Sequence, residues 1–162
     1  SEGRAERCEG YADRLLRYYD WRPEEVVIIV SNSGRNPLPI EVAMKAKSDG
    51  LSVIALTNLK HTSHVTSRHS SGKRLFEIAD IVFDNCSPVG DAGIDLPGTQ
   101  LKAGPLSTIA GVTLINMLML TVMERYLDKG QIPPISISAN LDGTERRSTQ
   151  LRRQYTHRIH FE

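Results

Sequence analysis

Apolar positions along this chain follow two alternating patterns, short unbroken β-branched runs and longer stretches spaced three and four apart, and their order predicts strands and helices in turn. Over residues 6–19, Cys8, Tyr11, Leu15, Leu16, Tyr18 and Tyr19 recur among charges, the spacing of an amphipathic helix with one buried face, and Trp21-Arg22-Pro23 ends it. Val26, Val27, Ile28, Ile29 and Val30 form a run with no polar residue, which suits a strand covered on both faces and therefore a parallel sheet under helices. The polar loop Ser31-Asn-Ser-Gly-Arg-Asn36 leads into a helix over residues 37–49, with Ile40, Ala43, Met44 and Lys47 on one side and Gly50 as its cap. Residues 51–56 predict a second strand ending in Thr57-Asn58. Strand, helix and strand at this spacing imply a right-handed parallel crossover, which brings Ser31, Ser33 and Thr57 out on one edge of the sheet.

The pattern lapses over residues 60–73, a long polar loop rich in Ser, Thr and His. Residues 75–79 predict a helical turn and residues 81–83 a third strand, which ends in Asp84-Asn85. A second long loop, 86–104, carries Gly90-Asp91-Ala92-Gly93 and the turn Leu96-Pro97-Gly98. Residues 105–129 predict one helix, apolar nearly all round, with Ser107 or Thr108 in its capping turn and Gly130 closing it. Pro133-Pro134, the alternating Ile135-Ser-Ile-Ser138 and an arginine-dense helix complete the chain. The expected fold is α/β, three layers in the order α/β/α around a parallel sheet, as one domain over residues 1–162.

Length agrees with that domain count, since 162 residues can bury one core but not comfortably two. A formal net charge of +1 supplies no general attraction for nucleic acid or acidic membranes, so neither is expected as a partner. Cys8 and Cys86 lie far apart with no CxxC spacing, which argues against a disulfide framework and for a reducing, cytoplasmic setting. The most apolar segment, residues 109–123, contains Gly111, Asn116 and Thr121, is too short for a bilayer span and reads as a buried helix. The opening, Ser1 running straight into a charged helical pattern, reads as a domain whose N-terminal part has been removed.

The chemistry concentrates after the first strand. Ser31 and Ser33 flank Asn32, Gly34 permits a tight turn, and Asn36-Pro37 offers an N-cap residue and a proline at the first helical position. Unpaired N–H groups at a helix N-terminus beside these hydroxyls are suited to hold a phosphate, although the same order also serves as an ordinary α/β connection. His61, His64 and His69 share a loop, but no acidic residue lies between His61 and Lys73, so no metal and no cofactor are expected. His69 could transfer a proton near neutrality or be a solvated loop residue. Asp91 beside Gly90 could act as a general base or cap its turn. Lys60 and Lys102 could each pair with a phosphate or be solvated, and the tail arginines, Arg146, Arg147, Arg152, Arg153 and Arg158, read as a wet helix face.

Ser31-Asn-Ser-Gly-Arg-Asn36, followed one crossover later by Val53-Ile-Ala-Leu-Thr57 and then by Ala79-Asp80, resembles the SIS, or sugar isomerase, domain, which binds phosphosugars. Ser67-Arg-His-Ser-Ser-Gly-Lys73, Gly90-Asp91-Ala92 and Ser138-Ala-Asn-Leu-Asp-Gly143 are similar to a bacterial group of uncharacterised sugar isomerase domain proteins, and the likeness covers almost the whole chain. The resemblance implies that Ser31, Ser33 and Thr57 hold the phosphate, within a substrate-binding set that also takes in Asn32, Gly34, Asn36 and Ser107. Asn36 stands where many members carry threonine. His69 and Asp91 are the catalytic candidates. SIS domains usually begin with a strand ending in a Gly-x-Gly-x-Ser loop beside the strand that ends at Ser31; this sequence lacks it, which would leave residues 26–30 as an open apolar edge.

Three functions follow from the resemblance: an isomerase interconverting aldose and ketose phosphates, a phosphosugar lyase, and a non-catalytic phosphosugar sensor. Thr99-Gln-Leu-Lys-Ala-Gly104 slightly resembles the N-acetylmuramate 6-phosphate etherases, but no glutamate stands in that loop, and no helix-turn-helix accompanies the sensor reading. The expected ligand is a small sugar phosphate. The expected assembly is a homodimer or homotetramer with the helix over residues 105–129 between subunits and residues around His69 completing the neighbour's pocket.

Overall fold

The computed structural model describes residues 2–138, 140–143 and 145–158, apart from the side chains of Glu2 and Gly3. Two short helices, α1 (Glu2–Ala5) and α2 (Tyr11–Leu16), replace the single helix expected over residues 6–19. Gly10 divides them: its φ of 77° is a left-handed conformation that glycine adopts without steric cost and that no helix continues through.

Strands β1 (Val26–Val30), β2 (Ser52–Thr57) and β3 (Ile81–Asp84) pair in parallel in the order β1-β2-β3, and α3 (Pro37–Ser48) is the crossover between the first two. Val27 lies opposite Val53, Ile29 opposite Ala55 and Ala55 opposite Val82, so the register sets alternate side chains on one face. On that face Ile29, Val53 and Ala55 pack with Ala43 and Ala46 of α3 and with Leu51 and Leu75. Leu56 points to the other face, where α5 (Leu106–Asp128) crosses at Gly111; a Cβ added there would lie 3.6 Å from the Leu56 side chain. The sheet is therefore sandwiched between helices, the α/β/α arrangement expected from the strand pattern. β1 is an edge strand, with Val26 and Val30 exposed.

Asp80 joins three of these elements. Its carboxylate accepts from the Lys47 ammonium and from the Val53 N–H at 2.8 Å, and its own N–H donates to the Val53 carbonyl at 2.9 Å. The Lys47 hydrogen bond first, and the Val53 N–H second, hold the Asp80 carboxyl below its ordinary range. A depressed pKa contributes stability at pH values above the unfolded value and loses it as pH falls through the folded one. Chemical denaturation across the acid limb below about pH 4 should therefore show a shallower loss of stability for Asp80→Asn than for the parent; parallel limbs would remove Asp80 from the acid response.

Both long loops are more ordered than their polarity suggested. A helix, α4 (Leu59–Ser63), opens the first because the Asn58 side chain accepts from the His61 N–H at 2.7 Å and caps it. The second folds into an antiparallel hairpin, β4 (Ala92–Asp95) and β5 (Lys102–Pro105). Residues 135–138 form no strand, and residue 139 of the 138–143 stretch lies outside the described residues.

α5 corrects two expectations. At 23 residues it is long and apolar enough to cross a membrane, where residues 109–123 alone had read as too short. It is also largely exposed instead of buried, with Ile109 at 68% and Met117 and Leu120 at 59%. Apolar composition states what needs cover, not whether this stretch of chain supplies it. Residues 1–116 form one compact unit and residues 117–162 another; within the second, Arg147 of α6 (Glu145–Tyr155) donates to the Ile135 carbonyl at 3.3 Å.

Candidate functional site

The loop after β1 is folded back on itself by its own backbone. Ser31 N–H donates to the Leu56 carbonyl at 3.0 Å, extending the parallel ladder, and Gly34, at φ 55°, donates to the Ser31 hydroxyl at 3.3 Å. The Asn32 carbonyl accepts from Asn58 N–H at 3.1 Å and from the Thr57 hydroxyl at 3.2 Å. The backbone N–H groups of Asn32, Ser33, Arg35 and Asn36 have no acceptor among the described residues. Unpaired donors gathered on one tight loop, together with the Ser31 and Ser33 hydroxyls, make an anion-binding concavity.

Beyond the Asn36 N–H at its N-cap, the first turn of α3 offers the loop no free N–H. Pro37 and Pro39 have no N–H, and Leu38 N–H donates to the Glu6 carbonyl at 3.2 Å. Asn36 has the extended backbone of an N-cap but its side chain makes no cap bond; its Oδ1 accepts from Arg68 Nη1 at 2.8 Å. Thr57 is fully buried beneath the loop, where its hydroxyl braces Asn32.

An open cavity of about 410 Å³ adjoins the loop, lined by Val30, Asn32, Leu56, Asn85, Ser107 and Gly111 among others. Asn85 Nδ2 donates to Asn32 Oδ1 at 2.9 Å. Both Asp91 oxygens are engaged by the first turn of α5, one accepting from Ser107 N–H and the other from the Ser107 hydroxyl, each at 2.7 Å. Asp91 thus caps α5 and fixes Ser107 at the cavity wall.

His69 is not a solvated loop residue. Its side chain is 11% exposed, its Nδ1 lies 2.8 Å from the Ser71 hydroxyl and its Nε2 lies 3.7 Å from Glu41 Oε1. Arg68 N–H, one residue earlier, donates to the Arg35 carbonyl at 2.8 Å, which docks this segment on the serine loop. Glu9 completes a cluster with His69 and Glu41 whose ligand atoms all lie within 4.8 Å of one another, close enough to share a cation. Each carboxylate also has a structural use. Glu41 accepts from Gly10 N–H at 2.6 Å and Ala12 N–H at 3.3 Å, and Glu9 from Ser70 N–H at 2.6 Å and its hydroxyl at 2.9 Å. The Ser70 N–H, the largest influence, holds the Glu9 carboxyl below its ordinary range. His61 and His64 are engaged elsewhere: His61 Nδ1 accepts from Gly90 N–H at 3.1 Å, and His64 Nδ1 lies 2.7 Å from the Lys60 carbonyl.

Reading the sequence missed Glu9, Glu41, Asn58 and Arg68. No acid lies within the histidine loop itself, and the two glutamates come from far off in the chain, Glu9 from between α1 and α2 and Glu41 from α3. Arg68 had a signal, its place beside His69; the glutamates had none.

Residues 1–58 match the SIS domain family. The chain is 41% identical over 156 residues to a UPF0309 protein of Shouchella clausii, covering 96% of this chain and 63% of that protein. It is 42% identical over 156 residues to a UPF0309 protein of Oceanobacillus iheyensis, again 96% and 63%, and 40% identical over 156 residues to one of Caldanaerobacter subterraneus, 95% and 63%. It therefore spans less than two thirds of the length of the curated relatives it matches.

Proposed function

We propose, from a chain whose residues 1–58 match the SIS domain family, that residues 31–36 seat the phosphate of a sugar phosphate, with the sugar in the adjoining cavity. The observation that carries this reading is the set of four loop N–H groups without acceptors among the described residues, beside two serine hydroxyls. A phosphate monoester offers strong acceptor oxygens that satisfy such donors together, which a neutral sugar hydroxyl cannot do. Asn32, Asn85 and Ser107 on the cavity wall are placed to meet sugar hydroxyls. Replacing Ser31 and Ser33 by alanine should weaken binding about fivefold for each lost hydroxyl, roughly 1 kcal/mol apiece. Isothermal calorimetry with a panel of hexose, heptose and amino-sugar phosphates measures this, and equal affinities for parent and double variant would sink the seat.

The reaction proposed is aldose–ketose isomerisation. A base removes the proton from C2 of the open-chain aldose phosphate and returns it to C1, while the hydroxyl proton moves from O2 to O1. His69 does not line the cavity of its own chain, so in this reading it carries the proton in the neighbouring subunit's pocket, with Glu41 Oε1 3.7 Å from its Nε2 to orient the ring. Asp91 acts through Ser107, which it positions. Solvent deuterium entering at C1 or C2 in the proton NMR spectrum, and its loss in His69→Asn, tests the step.

A homodimer is proposed as the assembly. No charged residue interrupts α5 from Leu106 to Met123, and its exposed apolar positions offer a surface that a two-fold copy of itself matches. Light scattering should give twice the chain mass, and Val112→Glu together with Leu120→Glu should halve it; a monomeric parent would refute the interface.

A further inference from the structure

We propose that Arg7, Arg35 and Arg68 form the cationic wall of the phosphate seat and make it selective for a dianionic phosphoryl group. This rests on the reading that residues 31–36 bind phosphate, and it answers a question that reading leaves open. Helix N-termini usually supply part of the positive charge at such a seat, but α3 begins with two prolines and a Leu38 N–H already engaged by Glu6. Side chains are the remaining source of positive charge.

The three arginines are brought together by contacts that do not neutralise them. Arg68 is pinned at both ends of its length, its N–H on the Arg35 carbonyl and its Nη1 on Asn36 Oδ1, each at 2.8 Å. Arg35 Nε is buried and makes no hydrogen bond. Arg7 follows Glu6, whose carbonyl is fastened to Leu38 at the start of α3. Among the described residues none of the three is in an ion pair. Desolvation chiefly, then the repulsion of Arg35 and Arg7, lowers the pKa of Arg68, and Glu6 is the one acidic group that opposes the shift. Three guanidinium groups gathered here, none in an ion pair among the described residues, supply positive charge for the charge of about −1.5 to −2 on a phosphate monoester near neutral pH. A buried donor without a partner is costly, and an anion that accepts from it relieves that cost. Guanidinium groups also present paired N–H donors to phosphoryl oxygens, which selects for tetrahedral oxyanions over lone point charges.

The test is competition calorimetry on the whole chain with inorganic phosphate and with methanesulfonate, an anion of similar shape and a single charge, at about 20 and about 200 mM salt. Wild type should bind phosphate at least about tenfold more tightly than methanesulfonate and lose affinity as salt rises. Arg35→Gln and Arg68→Gln should each weaken phosphate by about tenfold, bring the two anions closer together and flatten the salt dependence, and Arg68→Lys should recover part of the loss. Thermal midpoints without ligand should stay level or rise in the Gln variants, because repulsion is removed, which separates lost binding from lost folding. Phosphate affinities within twofold of wild type in both Gln variants, or methanesulfonate bound as tightly as phosphate, would overturn the arginine wall. A wild type that binds no phosphate at all would overturn the serine-loop reading beneath it.

Discussion

Gly34→Ala should abolish binding of any sugar phosphate and destabilise the domain by about 2–5 kcal/mol. Two costs coincide at this position. Gly34 holds φ 55°, where a Cβ approaches the following carbonyl and costs about 1–2 kcal/mol. That Cβ would also lie 3.2 Å from Leu75 Cβ and 3.3 Å from the Thr57 hydroxyl, and both residues are fully buried and cannot move aside. Overpacking a close-packed site of this kind costs about 1–3 kcal/mol. The loop can escape only by shifting, which displaces the free N–H groups of Asn32, Ser33, Arg35 and Asn36 from one another. Gly130→Ala is the control, since Gly130 has φ 67° and open space around it, so it bears the backbone cost alone. Urea denaturation of the two variants separates the effects, and equal losses in both would show that the contact under the loop does not matter.

Asn58→Ala should cost about 2–4 kcal/mol and loosen three segments of the site at once. Asn58 is fully buried. Its Oδ1 caps α4 through His61 N–H at 2.7 Å, its Nδ2 donates to the Ser87 carbonyl at 2.6 Å and the Ser87 hydroxyl at 2.9 Å, and its backbone N–H holds the Asn32 carbonyl. Truncation removes a helix cap, worth about 1 kcal/mol, and leaves the Ser87 carbonyl without that donor in a buried setting, a loss of about 1–3 kcal/mol. Ser87 in turn binds Asn85, which holds Asn32 at the cavity, so ligand affinity should fall together with stability. Asn58→Asp separates the two arms: it keeps the cap acceptor but turns a carboxylate oxygen on the buried Ser87 carbonyl, so it should be no more stable than alanine. A variant as stable as wild type in denaturant would mean that the Ser87 arm contributes nothing.

Much of the scaffold was legible in residue order. The strands expected over 26–30, 51–56 and 81–83 are found at Val26–Val30, Ser52–Thr57 and Ile81–Asp84, and the helix expected over 37–49 at Pro37–Ser48. A β-branched run can do little but extend, and Asn-Pro before a 3.6-residue period, with Gly after it, fixes where a helix starts and stops. Gly10 broke the first helix because one residue with positive φ outweighs a weak amphipathic pattern. The hairpin within residues 86–104 was hidden because β4 and β5 are short and glycine-bearing, with no alternation to announce them.

The parallel α/β scaffold and the serine loop at the end of its first strand follow from residue order, because both depend on neighbours a few residues apart. The loop's chemistry follows from packing. Packing took the first turn of α3 out of use by docking Glu6 on Leu38, turned Asn36 from a cap into a partner of Arg68, buried Thr57 under the loop, and drew Glu9, Glu41 and His69 to one point. Asn36 and Arg68 are 32 positions apart, and Glu9 and Ser70 are 61. Contacts at such separations are fixed by how packed elements close on one another, and hydrophobic periodicity, which reports only which face of each element is buried, carries no record of which polar side chains then meet.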